Sequence, residues 1–293
     1  MTFDARGGKR PAISSNALFA CAVVAVVGGA FLAVLNFPVS SHKDHGRLNT
    51  VDMTDADLLS APSALTSKPA TYYFETLARI DPSASEGLKV QLNKTGMDQS
   101  SIVLEHGAAL LRERAADLAR TDTKHIDGLL VLTRDRLKAA SHASNVWCNG
   151  EQYAEMNESS LRDPAALRQK MAQLETPLRD YGYEMMAHLL LAADDAARAP
   201  VNHGPITHTD KAALEGVVMS MMTDPQIMPL IMAAGTSANP DDLRRQLNVC
   251  ELGATAMTAL KTLPDDTKGR VFADLVNQLA TGDAGLANLA TLR

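Results

Sequence analysis

The sequence feature that most limits how this chain can be arranged is an uncharged apolar segment near its N-terminus. Residues 17–37 read ALFACAVVAVVGGAFLAVLNF, a run with one amide side chain and no charge. A helix of that length spans about 30 Å, the thickness of the hydrocarbon core of a bilayer. The segment therefore predicts a transmembrane anchor, and Pro38 follows directly to end it.

The charges beside this segment predict its orientation. Three basic residues and one acidic residue precede it, and a basic flank favours the cytoplasmic side of the membrane. We expect residues 1–16 to form a cytoplasmic leader of a single-pass protein in the cytoplasmic (inner) membrane. The bulk of the chain would then lie in the periplasm or outside. A cleaved signal peptide, or a lipoprotein signal ending at Cys21, is the alternative.

Small side chains recur along one face of the predicted anchor. Ala25, Gly29 and Ala33 lie four residues apart, and stripes of this kind let two membrane helices approach closely. The stripe predicts packing against another membrane helix. Chance is the competing explanation, because small residues are frequent throughout this segment.

The rest of the chain divides into a tether and a helical domain. Residues 38–68 are rich in Ser, Thr, Asp and Pro and show little apolar periodicity, as expected of a flexible tether. Residues 69–293 place apolar side chains at helical spacings of three and four, and one such face runs from Leu104 to Leu118. Prolines mark several predicted helix starts, among them Pro69 and Pro82. No comparable run has the two-residue alternation typical of strands. We predict an all-α bundle of about eight helices.

Composition and motifs exclude several function classes. The net charge of -6 disfavours a nucleic-acid partner, because phosphate binding depends on clustered Lys and Arg. The chain has no G-x-S-x-G, H-E-x-x-H, C-x-x-C or Gly-rich phosphate-binding motif. We therefore predict a non-enzymatic protein, with no catalytic residue and no cofactor. An enzyme whose site cannot be read from one sequence stays a further alternative.

One group of acidic and histidine residues has the chemistry of a metal site. It consists of Glu184, His188, Asp194, Asp195, His203, His208 and Asp210. Imidazoles and carboxylates that converge from a helix end and the following loop bind Zn²⁺ or another divalent ion. The simpler interpretation is a solvated helix end followed by a polar loop, in which His203 and His208 have no metal to bind.

Methionines cluster between residues 216 and 235. Thioethers suit Cu(I), with Met219 and Met222 as candidate ligands, but they also form adaptable surface for a protein partner or fill a core. We expect a packed surface that faces a partner and does not bind copper. Its residues are Met219, Met222, Met228 and Met232.

Two cysteines follow the predicted anchor, Cys148 and Cys250, whereas Cys21 lies within it. Disulfides persist in oxidising compartments, so the pair predicts one disulfide in the exported domain. Two buried free thiols are the alternative.

Together these patterns favour an envelope protein whose helical domain binds a protein partner in or near the membrane. Its role would be that of an assembly, scaffold or accessory subunit. A periplasmic protein that handles copper or zinc is the alternative.

Overall fold

The computed structural model describes residues 65–93, 99–143, 145–152, 178–222 and 247–281, together with positions 225 and 228. Over these residues the chain is helical and contains no β-strand, which confirms the predicted all-α class for this part. None of the helices described there is long and apolar enough to cross a membrane. The predicted leader, anchor with its small-residue stripe and nearly all of the tether lie outside the described residues.

The part of the chain that the structure describes contains nine α-helices and one 3-10 turn. They are α1 (Lys68–Ile80), α2 (Pro82–Leu92), α3 (Gln99–Glu113), α4 (Ala115–Leu118), α5 (Thr123–His142), the 3-10 turn (Val146–Cys148), α6 (Leu178–Arg198), α7 (His208–Met221), α8 (Val249–Leu260) and α9 (Asp265–Thr281).

Short polar side chains set the helix starts. Ser67, Asp81 and Asp122 precede α1, α2 and α5, and each accepts a hydrogen bond from a backbone N–H of the first turn. Proline occupies the first turn of α1 and of α2, where its missing N–H costs nothing. The starts predicted from Pro69 and Pro82 are therefore confirmed.

One long apolar face predicted from Leu104 to Leu118 is divided between two helices. α3 ends at Glu113 and α4 begins at Ala115, with Arg114 between them outside helical geometry. The Arg114 guanidinium reaches back to Asp81, 3.0 Å away, which ties this break to the start of α2.

The main core surrounds α6, which packs against α1, α3, α4 and α5. Tyr183, Met186, Leu189 and Leu190 of this helix are fully buried. Alanines occupy much of the remaining buried surface of α6, so neighbouring helices approach it closely. A helix that is apolar around most of its circumference must lie inside the bundle.

A second, smaller core lies between α7 and α8. Val217 and Met221 of α7 share this cluster with Ala256 and Met257 of α8 and with Leu263. α8 also packs along α5, which connects the small core to the rest of the bundle.

The predicted disulfide is confirmed. Cys148 in the 3-10 turn is bonded to Cys250 at the start of α8, with Cα atoms 4.9 Å apart. Both cysteines are buried, beside Ala140 of α5. The Gly150 N–H also donates to the Leu247 carbonyl at 2.9 Å, so backbone and disulfide hold the same junction.

Candidate functional site

Ionisable side chains form a stripe along one side of α6, which we call the α6 polar stripe. It consists of Asp180, Glu184, His188 and Asp195. Spacings of four, four and seven residues keep these side chains on one side of a helix. Partners from α1 and α5, and from the residue that caps α1, meet the stripe at each level.

The N-terminal half of the stripe, Asp180 and Glu184, contacts the residue that caps α1 and a residue of α5. Ser67, the N-cap of α1, donates its hydroxyl hydrogen to Asp180 at 2.9 Å. Arg136 of α5 donates to both carboxylate oxygens of Glu184, with Nε 2.7 Å from Oε2. This two-point contact raises the pKa of the Arg136 guanidinium, since the hydrogen bond to Glu184 favours its charged form.

At Asp195, the C-terminal end of the stripe, two nitrogen atoms of α5 contact one carboxylate. His125 Nε2 and Lys124 Nζ of α5 each lie 2.9 Å from Asp195 Oδ2. Hydrogen bonds from His125 and then from Lys124 lower the pKa of Asp195 to about 2. The Asp195 carboxylate is therefore ionised throughout the neutral range and fixes the first turn of α5 against α6.

His188 lies half-buried between these two ion pairs. Its ring contacts Tyr72 of α1, with ring centroids 5.9 Å apart. Burial lowers the pKa of His188, Glu184 opposes that shift, and His125 adds to it. The imidazole is therefore neutral at physiological pH.

The chemistry available to the stripe is limited by what surrounds the two imidazoles. A carboxylate that orients a histidine is one half of a nucleophile-activating arrangement. Within the described residues, neither His125 nor His188 is hydrogen-bonded to a hydroxyl or thiol. The stripe as described joins three helices, and it does not present a nucleophile with its base.

The residues of the metal hypothesis do not converge. Asp194 binds Arg198 at 2.6 Å, Asp195 binds Lys124 and His125, and His208 is an exposed residue at the start of α7. Among the described residues, no group of three or more His, Cys, Asp or Glu side chains is placed to hold a metal ion. Nothing in this geometry favours the zinc alternative.

His203 has a structural contact in the loop between α6 and α7. Its Nε2–H donates to the Thr121 carbonyl at 2.7 Å, and two residues earlier the Val201 N–H donates to the Arg120 carbonyl at 2.8 Å. The imidazole ring lies against Gly269 of α9, where a Cβ atom would collide with it. A glycine at this point of α9 is what allows His203 to reach Thr121.

Asp210 ties α7 to α9. Its carboxylate has no exposed surface and accepts hydrogen bonds from Arg270 Nε at 2.7 Å, from Thr267 Oγ1 at 2.7 Å and from the Thr207 backbone N–H at 2.7 Å. Arg270 first, and the threonines after it, hold the pKa of Asp210 well below its usual range. Asp210 also forms the capping box at the start of α7 with Thr207.

The predicted methionine surface is described in part. Met219 is 60% exposed and Met228 is 45% exposed, while Met222 is partly buried. Met221 points the other way and is 1% exposed in the core between α7 and α8. Gly216 lies one turn before Met219, and a Cβ atom added to it would meet no atom within 4 Å. Met232 lies outside the described residues.

Of the stripe residues, Glu184, His188 and Asp195 are candidates from the sequence alone, whereas Asp180 and the partners of all four residues were not predicted. Tyr72, His125 and Arg136 come from helices that lie between 48 and 116 positions away in the chain. Arg270 likewise meets Asp210 across 60 residues. No spacing rule joins such pairs, because they meet only through tertiary packing.

Comparisons with known protein families, with curated proteins and with solved structures find no match to this chain.

Proposed function

We propose that this chain is a single-pass, membrane-anchored protein whose helical domain lies outside the cytoplasm and binds a protein partner. Its role is that of an assembly, scaffold or accessory subunit without catalytic activity of its own. The observation that carries the proposal is the exposure of two methionines, Met219 at 60% and Met228 at 45%.

The two exposed methionines belong to one short segment of the sequence. A single exposed apolar side chain is ordinary in a soluble domain. Here two lie nine positions apart in the sequence, and partly buried Met222 lies between them in that order. Methionine is flexible and polarisable, so it adapts to a partner surface more readily than a branched side chain does. The exposure and the flexibility of these side chains together favour a surface that contacts a partner over a role in filling the core.

The disulfide supports the proposed compartment. Disulfides persist in oxidising compartments and are rare in the cytosol. The bond between Cys148 and Cys250 agrees with the orientation that the charges around residues 17–37 predict. A reporter that is active only in the cytoplasm, fused to the C-terminus, tests this orientation. Activity of that reporter would contradict it.

The α6 polar stripe supports a structural role for the charged residues of this region. Its carboxylates bind cations from α5 and a hydroxyl that caps α1. Such contacts hold helices in place and leave the partner contact to other faces. We therefore assign binding to the methionine surface and not to the stripe. The net charge of -6 supports a protein partner over a nucleic acid.

The test compares two kinds of exposed apolar position in the full-length chain. Tagged protein carrying Met219→Glu and Met228→Glu is purified from native membranes beside the wild type. Val90→Glu is the matched control, because Val90 is 44% exposed on α2. We expect the double variant to lose a co-purifying protein that the wild type and the Val90→Glu control both retain.

Both variants should unfold at the wild-type temperature, since the altered side chains contribute little to the core. Recovery of the same proteins with the double variant would contradict the proposed function. Loss of the co-purifying protein with the Val90→Glu control as well would mean that the effect is not specific to the methionine surface.

A further inference from the structure

We propose that Met219 and Met228 are sites of oxidation to methionine sulfoxide, and that oxidation weakens binding at the methionine surface. The first part stands on the geometry of the chain. The second part rests on the proposed function.

Six of the seven described methionines fall into an exposed group and a deeply buried group, and Met222 is intermediate. Met219 is 60% exposed and Met228 is 45% exposed. The deeply buried group is 0 to 4% exposed, and it consists of Met185, Met186, Met221 and Met257. An oxidant in solution reaches the sulfur atoms of the exposed methionines directly. It reaches those of the buried methionines only when the protein unfolds locally.

Met219 and Met221 make this contrast within one helix. They lie two residues apart on α7, and helical geometry directs them to different sides. Met221 packs with Met257 and Leu263 in the small core. The two methionines therefore share one local sequence and one backbone conformation, and they differ in access.

The cysteines described by the structure do not compete for the oxidant. Cys148 and Cys250 are joined in the disulfide, which has no thiolate to react. Within the described residues, the accessible reduced sulfur atoms are therefore thioethers. Among the described sulfur atoms, the first chemistry that we expect in an oxidising compartment is at Met219 and Met228.

The reaction is a transfer of one oxygen atom from a peroxide. A lone pair on the methionine sulfur attacks one oxygen of hydrogen peroxide, and the O–O bond breaks. That oxygen stays on sulfur as the sulfoxide, and the second oxygen leaves as water after a proton shift. The thioether is oxidised by two electrons and the peroxide is reduced by two.

Methionine sulfoxide at Met219 changes the polarity of the surface but not the packing of the core. A sulfoxide is polar and stiffer than a thioether, so it disrupts an apolar contact. Because the Met219 side chain lies mostly in solvent, its oxidation leaves the packing of Val217 and Met221 against α8 intact. The expected result is a folded protein with a more polar contact surface.

The first experiment measures oxidation site by site. The full-length chain is treated with hydrogen peroxide, quenched at intervals and digested, and each methionine peptide is quantified by mass spectrometry. We expect Met219 and Met228 to oxidise several-fold faster than Met186, Met221 and Met257. Chain unfolded in urea is the control, in which these rates should converge. Equal rates in the folded protein would overturn the inference.

The second experiment measures binding after oxidation. Wild-type chain and a Met219→Leu/Met228→Leu variant are treated with peroxide and used to recover the partner from membranes. Leucine conserves volume and cannot be oxidised, so the variant should bind before and after treatment. The wild type should lose most of its partner on treatment.

The outcomes separate the inference from the proposed function. If untreated and oxidised wild-type chain recover the same partner equally, the link between oxidation and binding is wrong, while the proposed function stands. If untreated chain recovers no partner, the proposed function fails, and with it that link. The site-by-site oxidation rates then decide the remaining part independently.

Discussion

Removal of the disulfide is the perturbation whose effect the structure defines most directly. The double variant Cys148→Ala/Cys250→Ala deletes the bond and leaves no unpaired thiol in the described domain. The bond closes a loop between residues separated by 102 positions. In the chain-entropy model, a loop of that length restricts the unfolded chain enough to stabilise the fold by about 4.7 kcal/mol at 25 °C.

Two further effects modify this value. Both cysteines are buried beside Ala140, so replacing each sulfur by hydrogen leaves a small void and adds to the loss. Native bridges in practice contribute about 2–5 kcal/mol, because the unfolded chain keeps residual structure. We therefore expect the free energy of unfolding to fall by about 3–5 kcal/mol. A domain of ordinary stability, about 5–15 kcal/mol, stays folded but becomes marginal.

The folded geometry of the junction should survive this loss. The Gly150 N–H still donates to the Leu247 carbonyl, and Asn248 Nδ2 still donates to Ser141 Oγ at 2.9 Å. The change should therefore appear in the unfolded state. Urea unfolding followed by circular dichroism should give a lower midpoint and a steeper slope, since an uncrosslinked chain exposes more surface.

Wild-type protein that has been unfolded and refolded in reductant is the matched control. It should have nearly the stability of the double variant in the same buffer. Alkylation of the unfolded, non-reduced chain should label one of its three cysteines, Cys21. If the double variant loses less than about 1 kcal/mol, the entropic reasoning is refuted. If all three cysteines label, the bond itself is absent in the protein.

Three further predictions concern the ionisable groups. Asp210→Ala should lower the free energy of unfolding by about 2–4 kcal/mol, because it leaves Arg270 without its buried partner. Asp194→Ala, which removes a surface pair with Arg198, should lower it by less than about 1 kcal/mol. Urea unfolding of both variants measures the difference. Gly269→Ala should destabilise the chain, although alanine favours helix over glycine by about 1 kcal/mol, because the added Cβ atom collides with the His203 ring. In a His203→Ala background that collision is absent, so the same substitution should stabilise the chain. Burial holds the pKa of His188 below 6.5, so the unfolded chain binds more protons as the pH falls through that value. Stability should therefore decline below about pH 6.5, and His188→Gln should flatten part of that decline in thermal unfolding measured across pH.

The sequence predicted the fold class because its signals are local. The helix starts at Pro69 and Pro82 depend on residues within one turn, and the buried face from Leu104 to Leu118 depends on spacing alone. The break at Arg114 was not predicted, because its partner Asp81 lies 33 positions away. The disulfide was predictable because elimination left one pairing after the anchor.

The metal hypothesis shows why the charged residues could not be assigned in the same way. A histidine and a carboxylate four residues apart have the same spacing whether they bind a metal ion or a neighbouring helix. What decides between these roles is the set of cations that tertiary packing brings to each carboxylate. Arg136 meets Glu184, and Lys124 meets Asp195. A carboxylate already bound by an arginine or lysine has less charge to offer a metal ion. Met219, by contrast, is an exposed thioether without a packing partner in the core, so its sulfur stays available for chemistry.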